Sequence, residues 1–595
     1  MARVAASKSH RDWRAPALLF GVALALRLIH LTTVRHSPFF TRLWLDLAFF
    51  DEWAQRIAAG DWLGSGLFYQ DPLYPYFLGT LYAIFGHKPA LAVAIQLVLG
   101  ALVPVLIFSG TRLGVGKAEA WVAGLLAALY VPSIFYEGLV LKSWMDTFLA
   151  AAALACLAYA IRRSSRGAWA ATGLVFGIAC LCRGNLILVL PALALWVWLD
   201  PSSGAGRTRR DRLTAAAIFV AGAGLVLGAT AVRNRAVSGE WVLTTAQAGQ
   251  NFYLGNHPWN LRGECDPPPF LRTNPKYEEA DFTAEARRRS GRQMTATERS
   301  RFWFREGVAW IRANPDRWLR LTFLKLRNFW GAYEIPDNID LYVYREHAPV
   351  LQAPLADFGL LAPLALLGAA LAWRRPGWVR ALLVFLAVYM TAVVLFFVLS
   401  RYRLTALPAL FALAGIGTVE LWKRGLEVKR RRRLTASFAG AMALWLVFAC
   451  FVSLPVRLPP DDPAFKIASA LGLPTRAENV SVEHFNLGVI YAKEGDLTRA
   501  EEQLRRAVAE EPNHPRTHLE LGKVLARAGK TEKAIASFTR ATELEPGQPR
   551  TFHVLGILYK RAGDHAAAEA AFRRALELDP TRKDSRRELE AVGGR

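Results

Sequence analysis

Five carboxylates, Asp46, Asp51, Glu52, Asp61 and Asp71, fall in one stretch of the chain among Trp44, Phe49, Phe50, Trp53, Trp62, Phe68 and Tyr69. A carboxylate on a short helix at the water face of a membrane domain can serve as a general base. If Asp46 to Ala59 is helical, Asp46, Phe50 and Ala54 share a face at four-residue steps, and Asp51 points well round the cylinder. The same pattern also suits a solvated amphipathic helix lying on the bilayer.

Cations that can meet a phosphate are spread along the chain. Arg401 and Arg403 stand in S-R-Y-R-L-T-A-L-P, and guanidinium forks suit bidentate phosphate oxygens. Arg and Tyr also anchor span ends at the interface. Arg183, in C-L-C-R-G-N, and Arg27, inside the first apolar segment, are charges in apolar surroundings and need a partner. The turn Tyr130 to Asp146 carries Glu137 and Lys142. Lys142 is a phosphate ligand or a residue snorkelling to the interface.

The elements that must position these groups are membrane spans. The chain has 595 residues, 53% of them hydrophobic, with 33 Phe and 19 Trp, which is too apolar and too segmented for an ordinary soluble protein. Apolar segments of spanning length recur near 15–34, 89–112, 117–135, 143–161, 168–182, 185–199, 213–232, 355–373, 378–399, 404–422 and 434–455, about eleven spans by the length rule. A formal charge of +24 invites a nucleic-acid reading. The Arg and Lys cluster, however, in alternate short connections, at 11–14, 162–166, 207–212, 374–380 and 423–433, as the positive-inside rule describes. The excess charge therefore reports topology. It predicts a cytoplasmic N-terminus without a cleaved signal peptide and, with an odd span count, an external C-terminus. The five cysteines show no C-x-x-C pair and no metal-ligand spacing.

Between Arg233 and about Leu355 the sequence leaves the membrane. It opens with alternation and Gly-Asn turns that predict a short hairpin. Gln250, Asn251, Asn256 and His257 there are candidates for amide hydrogen bonds to a sugar or acceptor, and turn chemistry explains the Asn and Gly residues equally well. It ends in WIRANPDRWLRLTFLKLRNFW, which reads as an amphipathic helix on the bilayer surface.

The order of an apolar span with Arg near its outer end, then D-x-x-x-aromatic-x-x-x-A-x-x-I-A-x-G, then an aromatic run closing in P-L-Y-P, resembles GT-C-type glycosyltransferases. Among them it is most similar to the protein O-mannosyltransferase relatives and the lipid A aminoarabinose transferase. The resemblance covers roughly the first two thirds of the chain. It implies that Asp46 is the catalytic carboxylate and leaves Asp51 or Glu52 as a second acid. Phe50 stands where the family usually has Tyr, and Leu47 where some members have Glu. Relatives often carry an acid where Lys142 stands, so Glu137, one turn away, is a candidate replacement. Arg183 and the Arg401–Arg403 pair occupy places where relatives also have arginine.

The C-terminal region repeats. Gly488, Gly522 and Gly556 are 34 residues apart, and the same step links Leu487, Leu521 and Leu555, then Ala500, Ala534 and Ala568, then Pro512, Pro546 and Pro580. This is the tetratricopeptide period, with small residues where paired helices touch and proline ending the second. Three units and a capping helix form a short α-solenoid, a surface that binds a protein or peptide.

The expected fold is thus an all-α polytopic membrane protein with a GT-C-like first external loop, a mixed external segment and a C-terminal TPR solenoid. Its expected divisions are a cytoplasmic tail (1–14), a membrane domain (15–232) with the loop 35–88, an external segment (233–354), a second membrane part (355–456), a linker (457–480) and the repeats (481–595). The resemblance implies an integral glycosyltransferase, inverting in outcome, in a bacterial-type cytoplasmic membrane. It would move a sugar from a polyprenyl-phosphate donor to an envelope protein, lipid or glycan, with catalysis by Asp46 and Asp51 and substrate binding by Arg27, Glu137, Lys142, Arg183, Arg401 and Arg403. No cofactor is assigned, a divalent cation is left open, and no nucleic-acid partner is expected. The alternatives are a membrane-anchored TPR scaffold without catalysis, or a lipid-linked polysaccharide polymerase or ligase.

Overall fold

The computed structural model describes residues 13–272, 274–459, 462–471, 473 and 475–593. The expected N-terminal tail lies outside the described residues up to position 12. The chain divides into two compact units, one built from residues up to Arg457 with Leu471–Thr475, the other from Leu458–Ala470 with the chain from Arg476 onward. Residues expected as a featureless linker therefore belong partly to the second unit, where Pro463–Ala470 is helical.

Among the described residues of the first unit, seven helices are long and apolar enough to cross a membrane: Arg14–Val34, Pro89–Gly114, Ser143–Arg163, Arg209–Ser238, Trp378–Leu395, Ser400–Arg431 and Ala436–Ser453. Four more apolar helices, Leu73–Phe85, Arg166–Cys182, Gly184–Leu199 and Phe358–Ala372, fall short of that length. The expected segment 117–135 breaks: a helix runs from Lys117 to Ala128, and a second, Val131–Glu137, has Pro132 in its first turn. The length rule counted 117–135, 168–182, 185–199 and 355–373 as spans, and did not count Leu73–Phe85, because hydropathy does not see where a helix stops.

Burial orders the bundle. The span from Ser400 is 83% buried and forms its centre, whereas Ala436–Ser453 is 11% buried and presents nearly all its surface outward. Close approach between spans relies on small residues. Gly173 and Gly177, four apart on Arg166–Cys182, press against the backbone of Phe219 and Ala223 on Arg209–Ser238. A side chain at either glycine would collide with those carbonyls, so this is a small-xxx-small contact.

The segment 233–354 differs from its sequence reading. Among the described residues no strand forms near 239–262; Ala248–Gly255 is a helix instead. Phe252 and Tyr253 pack it onto the helix Ala296–Ala313, with Phe252 meeting Phe304 and Tyr253 meeting Trp303. The carbonyls of Val242 and Thr244 are satisfied by the Asn234 side chain, so the stretch before this helix has hydrogen-bond partners without a second strand. The expected amphipathic helix begins only at Pro315, because the chain turns at Asn314. It buries Leu321, Lys325 and Phe329 and exposes Leu319, Phe323 and Leu324.

The second unit holds three helix pairs, Ser481–Glu494 with Leu497–Glu510, Pro515–Arg527 with Thr531–Leu544, and Pro549–Ala562 with His565–Leu578, closed by Lys583–Gly593. The 34-residue step has a steric basis. Gly488, Gly522 and Gly556 each face the large residue of the partner helix, Leu504, Phe538 and Phe572, at distances that leave no room for a side chain. Those three large residues are fully buried.

Candidate active site

Asp46 lies in the first turn of the helix Leu45–Ala58, and Asp46, Phe50 and Ala54 are all buried along one face. Leu45, just before it, has φ +49°, a left-handed conformation that costs a residue with a Cβ about 1–2 kcal/mol. The strain is held by contacts on both sides. The Trp44 indole donates to the Asn338 carbonyl (3.1 Å), and the Asp46 amide donates to Asn338 Oδ1 (3.0 Å). Asn338 Nδ2 in turn donates to Asp46 Oδ2 (3.0 Å), so one amide side chain clamps both the backbone and the carboxylate of Asp46.

Arg401 closes the cluster. Its Nη1 donates to Asp46 Oδ2 at 2.6 Å, and its Nε lies 2.8 Å from Asp337 Oδ2. One guanidinium thus bridges two carboxylates. Burial works to raise the pKa of Asp46, but the Arg401 charge and the hydrogen bonds from Arg401 and Asn338 outweigh it and hold the carboxyl below its usual range. Asp337 is displaced the other way: burial raises it against Arg401, and the neighbouring Asp46 charge adds to the rise. Two acids on one cation are thereby pushed apart, the pattern that separates a charged from a protonated partner.

A third acid joins them. Glu278, on the helix Pro275–Ser290, accepts from the Tyr69 hydroxyl at 3.0 Å. Burial, aided by the Asp46 charge, lifts its pKa to about 7 against that hydrogen bond.

Two more ion pairs stand nearby. Lys142 pairs with Asp71 and donates to the Cys182 carbonyl (3.1 Å), and its charge reaches Asp46. Arg183 pairs with Asp146 through Nε (3.0 Å), and its guanidinium lies 4.8 Å from the Tyr402 ring centre. Arg401 lies 5.4 Å from the same ring. Tyr402 therefore ties the two arginines to one aromatic surface, a cation–π arrangement that counts for more when desolvated.

The remaining expected residues lie elsewhere. Asp51 is buried on its own turn of the helix, taking hydrogen bonds from Tyr82 (2.6 Å) and Gln55 (2.7 Å) and facing His87 (2.9 Å). Arg27 and Glu137 form a buried pair inside the bundle, joined at 2.8 Å, with Arg27 also donating to the carbonyls of Ala23 and Ala128. Arg403 is enclosed by Glu334 (2.7 Å), Ser400 (2.9 Å) and the Gly331 and Tyr333 carbonyls. Its donors are taken, so it staples the 331–334 loop to the central span. Asn256 and His257 bind carbonyls of Leu395 and Asp266, whereas both polar atoms of the buried Gln250 side chain are unpaired.

Asp337, Asn338 and Glu278 are the residues that sequence reasoning missed. The one signal for Asp337 and Asn338 was the polar P-D-N turn at 336–338 behind an aromatic helix, which turn chemistry explains equally well, and Glu278 had none. Asp46 is engaged by Arg401 and Asn338, and among the described residues no three His, Cys, Asp or Glu are grouped so that they could hold a metal ion.

A buried carboxylate clamped by an amide, held by an arginine and flanked by further cations suits proton removal beside an anionic leaving group. Residues 70–227 match the family of dolichyl-phosphate-mannose-protein mannosyltransferases. That stretch contains Asp71, Glu137, Lys142, Asp146 and Arg183, and the match indicates a membrane glycosyltransferase of mannosyltransferase type. Residues 485–549 and 549–582 match tetratricopeptide repeats, which implies protein or peptide binding by this region. No curated protein matches the chain. Similar solved structures include MamA (20% identity, 22% of this chain and 72% of that one, TM-score 0.19). Two others are SycD of Yersinia enterocolitica with a peptide of the translocator YopD (19%, 19% and 90%, 0.18) and YrrB (18%, 38% and 90%, 0.18).

Proposed function

We propose that this protein transfers a sugar from a polyprenyl-phosphate donor to an envelope acceptor on the external face of a bacterial-type cytoplasmic membrane, with inversion at the anomeric carbon. The observation that carries the reading is the Arg401 bridge between Asp46 and Asp337, in a chain that matches a mannosyltransferase family.

Asp46 takes the proton of the acceptor hydroxyl as that oxygen attacks the anomeric carbon, and the bond to the donor phosphate breaks on the opposite side. Negative charge grows on the leaving phosphate, where a guanidinium stabilises it. Arg401 has two roles in this scheme. In the free protein its charge keeps Asp46 ionised but weakly basic. When a donor phosphate draws Arg401 toward itself, Asp46 loses its counter-ion and gains basicity at the moment a proton must be removed. Arg183 and Lys142 supply further positive charge, and Tyr402 keeps Arg183 and Arg401 on one surface.

A scaffold without catalysis has no use for this cluster, since burying so many charges is costly unless they serve a site. The external placement of the site and repeats follows from the alternate Lys and Arg loops. The test is release of polyprenyl phosphate from mannosyl-phospho-polyprenol by the purified protein, with a hydroxyl acceptor present. Release by the wild type and its loss in Asp46→Asn support the reading. No release from that donor, or from its glucosyl and aminoarabinosyl counterparts, overturns it.

A further inference from the structure

The two helix layers of the repeats differ in charge. The inner helices, Ser481–Glu494, Pro515–Arg527 and Pro549–Ala562, carry seven Lys and Arg against three Glu. The outer helices, Leu497–Glu510, Thr531–Leu544 and His565–Leu578, carry seven of each. Successive inner helices meet, Ser481–Glu494 touching Pro515–Arg527, and so line the groove of the solenoid.

Helical spacing gathers the inner cations into stripes. On the second inner helix Arg516, Lys523 and Arg527 recur at steps of seven and four, and all three are exposed. On the third, Arg550 and Arg561 stand eleven residues apart on one face, both exposed. Lys523 is offset by Glu520 (2.8 Å), and Arg527 donates to the Ala492 carbonyl. Among the described residues Arg516, Arg550 and Arg561 form no ion pair, whereas outer-layer cations are paired locally, Arg540 with Glu543 and Arg574 with Glu577.

The first inner helix is different. Its corresponding stripe is Val482, Phe485 and Val489, apolar until Lys493 in the last turn. Val482 is 60% exposed, and the Arg516 guanidinium lies 5.5 Å from the Phe485 ring, at the seam between the apolar and basic parts.

We propose that the inner face of the repeats binds an extended, acid-rich segment of a partner protein, with apolar side chains on Val482 and Phe485 and carboxylates along Arg516, Arg550 and Arg561. The graded groove decides the class of partner. Uniform polyanions such as nucleic acid would leave the apolar end unused, and a peptide of apolar then acidic residues covers both ends. The proposal rests on reading the repeats as the recruiting part, and it specifies what they recruit. The acceptor itself, or a protein that delivers it, is then acidic near the recruiting segment. Opposite charges across such a surface set selectivity and capture rate, with salt dependence as the signature.

The test uses the full chain in neutral detergent and a fluorescein-labelled peptide of two leucines followed by five alternating Glu and Asp. Its binding is followed by anisotropy. The same peptide with Lys for each acid and a single-stranded oligonucleotide of equal charge are the controls. Binding of the acidic peptide should weaken about tenfold or more between low and high salt, and by a similar factor in the double variant Arg516→Glu with Arg550→Glu. The outer-layer double variant Arg506→Glu with Arg574→Glu has the same net charge and should bind like wild type. Circular dichroism should match in all three proteins. Transfer to a small soluble acceptor reports catalysis separately and should be equal in all three. The proposal is overturned if the inner and outer variants bind alike, if the lysine peptide binds equally well, if the oligonucleotide binds more tightly, or if the acidic peptide does not bind.

Discussion

Arg401 donates to Asp46 across 2.6 Å although 355 positions separate them in the chain. This contact joins the helix Leu45–Ala58 to the start of the central span and defines the candidate site. Replacing Asp46 by Asn keeps the shape and the Asn338 contact but removes the proton acceptor. Transfer should fall by about 10²–10⁴, the range for loss of a general base, with the protein still inserted and folded. Asp51→Asn should be milder, because Asp51 sits among Tyr82, His87 and Gln55. Single-turnover assays of both variants decide the order, and equal losses would remove the distinction.

Arg401→Lys tests the bridge. A lysine is a point charge and cannot fork between Asp46 and Asp337. Both the donor KM and the rate should worsen, by about tenfold or more in kcat/KM. A Lys variant with wild-type donor kinetics would show that the fork is dispensable.

Asn338 acts through Asp46, and its removal has a direction in pH. Its hydrogen bond favours the charged carboxylate, so Asn338→Leu should raise the Asp46 pKa and move the acidic limb of the pH–rate profile upward. Asn338→Asp adds a like charge and should move it further the same way. A fall in rate with no shift of the limb would assign Asn338 a purely structural role.

Glu278 should be visible in stability. Its ordinary value is 4.5 and burial lifts it to about 7, so the folded protein binds more protons than the unfolded chain across that interval. Stability then falls as pH rises from about 4.5 to 7. Glu278→Gln lacks this contribution, and its advantage over wild type should grow across the same window. Thermal melts followed by tryptophan fluorescence in detergent measure the difference; parallel curves would refute the shifted carboxyl.

Deleting Ser481 to Arg595 should spare donor binding and any hydrolysis of the lipid-linked sugar, because every proposed donor and base residue lies in the first unit. Transfer to a protein acceptor should weaken most at low acceptor concentration, since the repeats raise its local concentration. Full-rate transfer by the truncated chain at every acceptor concentration would assign the repeats to assembly.

Periodic features were legible in the residues alone. The 34-residue step exposed the repeats because each Gly must face a large partner residue at a fixed offset, and the structure has Gly488 on Leu504, Gly522 on Phe538 and Gly556 on Phe572. Runs of apolar residues likewise marked a multi-pass membrane protein, because lipid imposes one chemistry over a set length. Spacing placed Asp46, Phe50 and Ala54 on one helix face, the family resemblance singled out Asp46 among the acids there, and that face is buried in the structure.

Tertiary structure alone decided the partners. Nothing local distinguishes Arg401 from Arg403, two positions on, yet one reaches Asp46 and Asp337 and the other is consumed by Glu334 and the 331–334 carbonyls. The sequence required partners for Arg183 and Arg27 without naming them, and left Lys142 as a phosphate ligand or an interface anchor; the fold pairs them with Asp146, Glu137 and Asp71. Asp337, Asn338 and Glu278 gave no periodic signal, because a loop residue is recruited by where the scaffold carries it. The hairpin expected near Gly239 became the helix Ala248–Gly255 for the same reason: local alternation is worth little beside burial of Phe252 and Tyr253 against a neighbouring helix. Pattern repeats along a chain and can be read there, whereas ion pairing in a low-dielectric interior depends on a few ångströms between residues hundreds of positions apart.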